Sequence, residues 1–170
     1  MNKHHREYAN QYLQLLSREE RERIPRITAE HFCNDQYNAD ECARLVNEGI
    51  KRATSSLAGA YRIEGDPFPE RGSLLVVLDW HQEPVCIVRI TEVSICPFHE
   101  VTGEFAAAEG EGDGSYRWWR ETHSAVFSQC AQELGIEFNE SSEVVLERFE
   151  KVYPLSPRTP SFKAARATPR

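Results

Sequence analysis

Lys51 and Thr54 stand three residues apart in the run Gly49-Ile-Lys-Arg-Ala-Thr-Ser-Ser-Leu57. In a tight turn an amine and a hydroxyl at this spacing converge. A hydroxyl is a weak nucleophile until a neighbouring base takes its proton. A lysine is such a base only when burial pulls its pKa well below about 10.4. Arg52 and Ser55 border the pair, and the backbone N–H groups of a turn at 52–56 would be donors for an oxyanion. The plain alternative is a charge cap. Gly49 reads as the residue that closes a helix, and cations after a helix C-terminus are stabilised by its dipole. The same dipole opposes a neutral Lys51, so a base role needs strong desolvation or a second cation such as Arg52.

Two further stretches carry chemistry-bearing side chains. The first is Glu104-Phe-Ala-Ala-Ala-Glu109-Gly-Glu111-Gly-Asp113. Glu109 falls at the end of a short helix, where a negative charge is disfavoured, and this predicts a raised pKa suited to general-acid work near neutrality. Glu111 and Asp113 could join Glu109 around a divalent cation, although the calcium-loop spacing is absent. A solvated acidic turn is the alternative. The second stretch is Trp118-Trp119-Arg120 with His123. Trp119 and His123 are four apart and share one helix face. They read either as core residues or as a platform on which a planar base stacks while Arg120 or His123 bonds its edge. Phe98, after the Cys96-Pro97 bend, is another candidate stacking residue. Spacing alone assembles no Ser-His-Asp or Cys-His set.

The elements that must position these residues follow from periodicity and caps. Residues 4–23 read as a helix restarted at Ser17, which forms a capping box with Glu20, and Pro25 ends it. Residues 33–38 read as a loop. Asn38 or Asp40 caps a second helix with Cys42, Leu45 and Val46 on its stripe, closed by Gly49. Residues 74–78, 85–95 and 144–153 read as strands, the middle one central because its first half is apolar on both faces. Thr102 caps a helix over 103–109 that Gly110 stops. Ser115 or Asp113 caps a longer helix ended by Gly135. Pro, Ser, Arg and Ala dominate from Pro154, and a disordered tail is expected. Strands and helices segregate without a βαβ series, which predicts an α+β domain: a small twisted sheet or barrel with helices around it.

Composition bounds the function. One hundred and seventy residues, 40% of them hydrophobic, suffice for one domain with a core. No apolar run approaches a membrane span, and the basic start lacks the apolar stretch of a secretory signal. Five cysteines, with no Cys-x-x-Cys, read as buried free thiols in a reducing cytoplasm. The net charge is −7; the last seventeen residues hold four cations and no acid, so the remainder carries −11. An acidic body disfavours non-specific binding along a polyanion, but not a small nucleoside in a local pocket. No G-x-G-x-x-G, P-loop or H-E-x-x-H occurs.

Taken together, the Gly49–Leu57 run, Val76-Val-Leu-Asp, Cys86-Ile-Val-Arg-Ile-Thr, Pro97-Phe-His-Glu-Val-Thr, Glu104-Phe-Ala, Glu109-Gly-Glu-Gly-Asp and Trp119-Arg-x-x-His123 resemble the longer bacterial branch of the ASCH-domain family, over residues 29–153. The resemblance implies a PUA-like β-barrel with helices around a cleft, an N-terminal helical extension (1–28) packed on it, and a basic tail (154–170). The family was named from a suspected RNA-related role. Some short members are amidohydrolases that deacylate N4-acetylcytidine with a Lys, a Thr three residues later and a Glu further along. On this chain those fall on Lys51, Thr54 and Glu109, with Glu104 as the second choice for the acid. Arg52, Ser55, Phe98, Glu111, Trp119, Arg120 and His123 are then the expected substrate contacts. The resemblance implies hydrolysis of an N4-acylcytosine nucleoside without metal or cofactor, by a cytoplasmic monomer or homodimer that engages neither DNA nor membrane. The alternatives are a single-stranded ribonuclease or a non-catalytic RNA- or nucleotide-binding module using the same cleft.

Overall fold

The computed structural model describes residues 1–155; the expected tail beyond them lies outside the described residues. Two helices open the chain, α1 (Lys3–Leu13) and α2 (Arg18–Glu22). The Ser17–Glu20 capping box forms as the sequence predicts and starts α2. The apolar side of α1, Ala9 and Tyr12, packs on Leu74, Val76, Leu78 and Ile87 of the sheet.

The next segment holds β1 (Ile27–Glu30) and α3 (Gln36–Asn47). The cap of α3 is Asp35, whose side chain accepts from the Asn38 N–H, and not Asn38 or Asp40. All three residues are competent caps. The earliest one wins because an added turn buries Ala39 beside the stripe of Cys42, Ala43 and Val46. The expected loop at 33–38 is correspondingly shorter.

Among the described residues five strands make one sheet, in the order β1-β3-β4-β5-β2. They include β2 (Ala53–Leu57), β3 (Leu74–Leu78), β4 (Pro84–Pro97) and β5 (Glu143–Tyr153). β1 runs parallel to β3; the other neighbours are antiparallel. Cys86, Ile87 and Val88 are fully buried, as a strand apolar on both faces requires. β1 and β2 are the two edges and do not pair with each other, so the sheet is open and the closed barrel expected from the resemblance is not formed among the described residues. β4 and β5 are long and carry register shifts at Ile87/Val88 and Ile90/Glu92, which bend a sheet.

Helices α4 (Ala58–Glu64), α5 (Gly103–Glu109) and α6 (Tyr116–Leu134) complete the fold. Thr102 and Ser115 cap α5 and α6, and Gly110 and Gly135 close them, as the sequence predicts. α5 and α6 cover one face of β2 and β5, where Ala53, Leu57, Phe105, Trp119, Phe127 and Val144 share a core. All five cysteines are free, but only Cys42 and Cys86 are buried; Cys33 is exposed and Cys96 and Cys130 are half-buried. No helix among the described residues is long and apolar enough to cross a membrane.

Candidate functional site

The end of α3 delivers Lys51 to the end of α5. Gly49 takes a φ of +75°, and the N–H groups of Ile50 and Lys51 both donate to the Leu45 carbonyl. The chain then enters β2, and the Arg52 N–H donates to the Ala108 carbonyl at 2.8 Å. That bond ties the start of β2 to the last turn of α5, whose final residue is Glu109. Gly110 turns the chain away with a φ of +66°. A Cβ there would sit 2.6 Å from the Ile50 carbonyl oxygen. Gly110→Ala is therefore expected to destabilise the protein by about 1–3 kcal/mol, read by chemical denaturation, from left-handed strain plus a backbone collision.

Around Glu109 the side chains form a closed charge cluster. Lys51 and Glu109 are each 1% exposed. The Lys51 ammonium donates to Glu109 Oε2 at 3.2 Å and to Glu111 Oε1 at 2.5 Å. Glu109 Oε1 accepts from the Ser55 hydroxyl at 2.6 Å and from the Trp119 indole N–H at 3.0 Å. His123 Nε2 lies 3.5 Å from Glu109 Oε2, and its Nδ1 is 2.8 Å from the Trp119 carbonyl. A carbonyl only accepts, so Nδ1 carries a proton. Nε2 then faces a carboxylate, which favours a second proton and the imidazolium.

The electrostatics follow from these contacts. Burial pushes the Glu109 carboxyl up, but the Lys51 ammonium and the bonds from His123 and Ser55 outweigh it and hold the group at about 2. The raised pKa expected from helix position is thus corrected. The helix-end effect is small beside a direct ion pair in a dry environment. Burial lowers the Lys51 pKa, but the carboxylates of Glu109 and Glu111 more than restore it, so the amine is held above its ordinary value. The burial required for a basic Lys51 is present; two acids cancel its effect. His123 is raised as well, burial opposing and Glu109 prevailing.

Not every expected residue joins the cluster. The tight turn at 52–56 is instead strand β2, paired antiparallel with β5. Side chains alternate along a strand. Ser55 therefore points to Glu109 with Ala53 and Leu57, while Thr54 and Ser56 face the other side, Ser56 bonding the Tyr61 hydroxyl at 3.0 Å. Successive N–H groups of a strand diverge, so the expected converging oxyanion donors are not formed there. Arg52 is exposed, beside Thr91, Glu104, Arg148 and Phe149. Phe98 is fully buried against Trp119, 5.5 Å between ring centres, and Trp119 is covered further by His123 at 4.4 Å. Neither ring has a free face for a base. Arg120 ion-pairs with Glu140 over the Phe98 ring, away from the cluster. Asp113 caps the Ser115 N–H instead of joining Glu109 and Glu111, and among the described residues no His, Cys, Asp or Glu group has metal-binding geometry. The sequence reading missed Phe32, whose ring lies 5.3 Å from the Lys51 ammonium. It sits in a short segment with no periodic signal.

A family model for the ASCH domain matches residues 28–153. The crystal structure of an ASCH domain from Lactobacillus crispatus superimposes with a TM-score of 0.85 at 44% identity, covering 89% of this chain and 95% of that one. The structure of an Enterococcus faecalis protein gives a TM-score of 0.76 at 26% identity, covering 89% of this chain and 90% of that one. A search of curated proteins finds no match. The family match covers the segment from Lys51 to Ser55, the Glu109 turn and the Trp119 helix, and by it this chain belongs to the ASCH-domain family.

Proposed function

We propose that this protein is a hydrolase that removes the acyl group from an N4-acylated cytosine nucleoside, N4-acetylcytidine being the simplest substrate. The ASCH family is associated with RNA-binding and hydrolase roles. The observation that carries the reading is the buried Lys51–Glu109 pair. A buried ion pair is a poor device for stability, since desolvating two charges offsets most of their attraction. Strongly perturbed, mutually dependent ionisable groups are characteristic of functional sites.

In this reading Thr54 attacks the acyl carbonyl, and the Lys51 ammonium binds an oxygen of the same nucleoside away from the reacting carbonyl. Three residues of extended chain span about 10 Å, and β2 is an edge strand, so one nucleoside laid across that edge meets the hydroxyl on one side and the amine on the other. Glu109 and Glu111 fix the ammonium and keep it charged, and Ser55 orients Glu109. A charged Lys51 has no lone pair, so it is a binding group and not the base of the resting enzyme. Glu111, whose side chain is partly exposed, is the acid that an incoming oxygen of the nucleoside displaces.

Thr54→Ala tests the nucleophile. Cytidine release from N4-acetylcytidine, followed by chromatography, is expected to fall by about 10³-fold or more with the thermal midpoint unchanged. A variant that keeps wild-type rates removes Thr54 from the mechanism.

A further inference from the structure

On the face of β2 turned away from Glu109, Thr54 has a carboxylic acid as its cross-strand partner. Thr54 and Glu147 are partners in the β2–β5 register. Residues opposite each other on antiparallel strands share a face, with Cβ atoms about 4.5–5.5 Å apart. Glu147 interrupts an apolar run, Val144-Val-Leu, whose three residues are buried, and is itself half-buried. Among the described residues, the groups around it supply no nearby cation. Thr54 and Ser56 face it from β2, and Val93 opposes it from β4. Tyr61 of α4, whose hydroxyl meets Ser56, lies within its electrostatic reach, with Asp66 beyond Tyr61. Glu30, at the end of β1, contributes a like charge. Burial pushes the Glu147 carboxyl up to about 7, and Glu30 adds to the push. This contrasts with Glu109 of α5, packed against the opposite face of the same strand pair, which four donors hold ionised.

We propose that Glu147 is the general base and acid of the reaction, taking the Thr54 proton and returning it to the leaving amine. The inference rests on the hydrolase reading above and supplies the base that reading lacks. As Thr54 Oγ1 bonds to the acyl carbon, its proton passes to the Glu147 carboxylate and the carbonyl π electrons move onto oxygen. The oxyanion collapses, the C–N4 bond breaks, and the departing cytosine nitrogen takes the proton from Glu147. An acyl ester of Thr54 and free cytidine result. Water then attacks the ester, giving its proton to Glu147. The Thr54 oxygen leaves with that proton, releasing the carboxylic acid and restoring the enzyme. A carboxyl that titrates near working pH suits both directions of this transfer, which a carboxylate near 2 does not.

The test measures kcat/KM for N4-acetylcytidine against pH in the wild type, Glu147→Gln, Glu147→Asp and Glu30→Gln. In the wild type the rate should rise with pH through an acid limb near 7 and then level. Glu147→Gln should lose about 10²–10⁴-fold, and the limb with it, while Glu147→Asp keeps a limb at reduced rate. Glu30→Gln removes a like charge, so the limb should move to lower pH with the plateau rate retained, a result that a merely structural Glu147 would not produce. An active wild type whose rate and limb are unchanged in both Glu147→Gln and Glu30→Gln overturns the Glu147 assignment alone. A wild type that releases no cytidine overturns the hydrolase reading and this proposal together.

Discussion

Replacing Lys51 by methionine is expected to destabilise the fold by about 3–5 kcal/mol at neutral pH and to abolish turnover. Methionine matches the volume of the aliphatic stem but leaves the Glu109 carboxylate buried without its main counter-charge. For a domain of this size the thermal midpoint should fall by about 6–20 °C. The pH dependence gives the loss a signature. In the wild type the Glu109 carboxyl is depressed to about 2. Its contribution is therefore fully present above the ordinary glutamate range and is lost as pH falls toward 2. In the variant only burial remains to act on Glu109 apart from His123 and Ser55, and its pKa rises. The gap between the two proteins should be widest above about pH 5 and close on acidification. Urea unfolding from pH 3 to 8 measures this; a constant gap across that range would show that Lys51 and Glu109 are not coupled.

Glu109→Gln has the second largest expected effect, about 2–4 kcal/mol, because one carboxylate accepts from Lys51, Ser55 and Trp119 and faces His123. Glutamine keeps an acceptor for one or two donors but turns an amide toward the ammonium. Two windows separate the lost contributions. His123 has a raised pKa, so the stability it draws from Glu109 is present below its unfolded value and disappears as pH rises through the folded one. The Glu109 contribution is present above the unfolded glutamate value. The two overlap between about pH 4.5 and 6.5, where the variant should be weakest relative to the wild type. In the variant, proton NMR should show the His123 ring titrating below its wild-type value, since burial is then the dominant influence. An unshifted His123 would contradict the cluster geometry.

The legible parts of this molecule were those set by local chemistry. Ser17 with Glu20, Thr102, Gly110, Ser115 and Gly135 each satisfy helix-end groups within a few residues, and each acts where the sequence predicts. The apolar runs of β3 and β4 were equally plain. β1 is four residues long and held by parallel pairing with β3, so nothing local announces it. α4 contains Gly59 and lacks a side-chain cap. β2 is short, polar and recruited by β5, and its hydroxyls read as a turn. That single misreading changed the site, because alternation on a strand separates Thr54 from Ser55 where a turn would have gathered both toward Lys51. Lys51, Glu109, Glu111, Ser55 and His123 were all named from sequence and do meet. The sign of the Glu109 shift was not legible. It depends on an ion pair formed across 58 residues of chain, whereas the helix-end argument sees only one turn. The stacking roles of Phe98 and Trp119 failed for a related reason, since periodicity places a ring on a face but not beneath another ring.

The most direct measurement is cytidine release from N4-acetylcytidine by the wild-type protein, resolved by chromatography. The account predicts cytidine and acetate in equal amounts, with release lost in Lys51→Met and in Thr54→Ala. Substrate left intact by a folded wild-type protein, across a panel of N4-acylated cytosines, would contradict it.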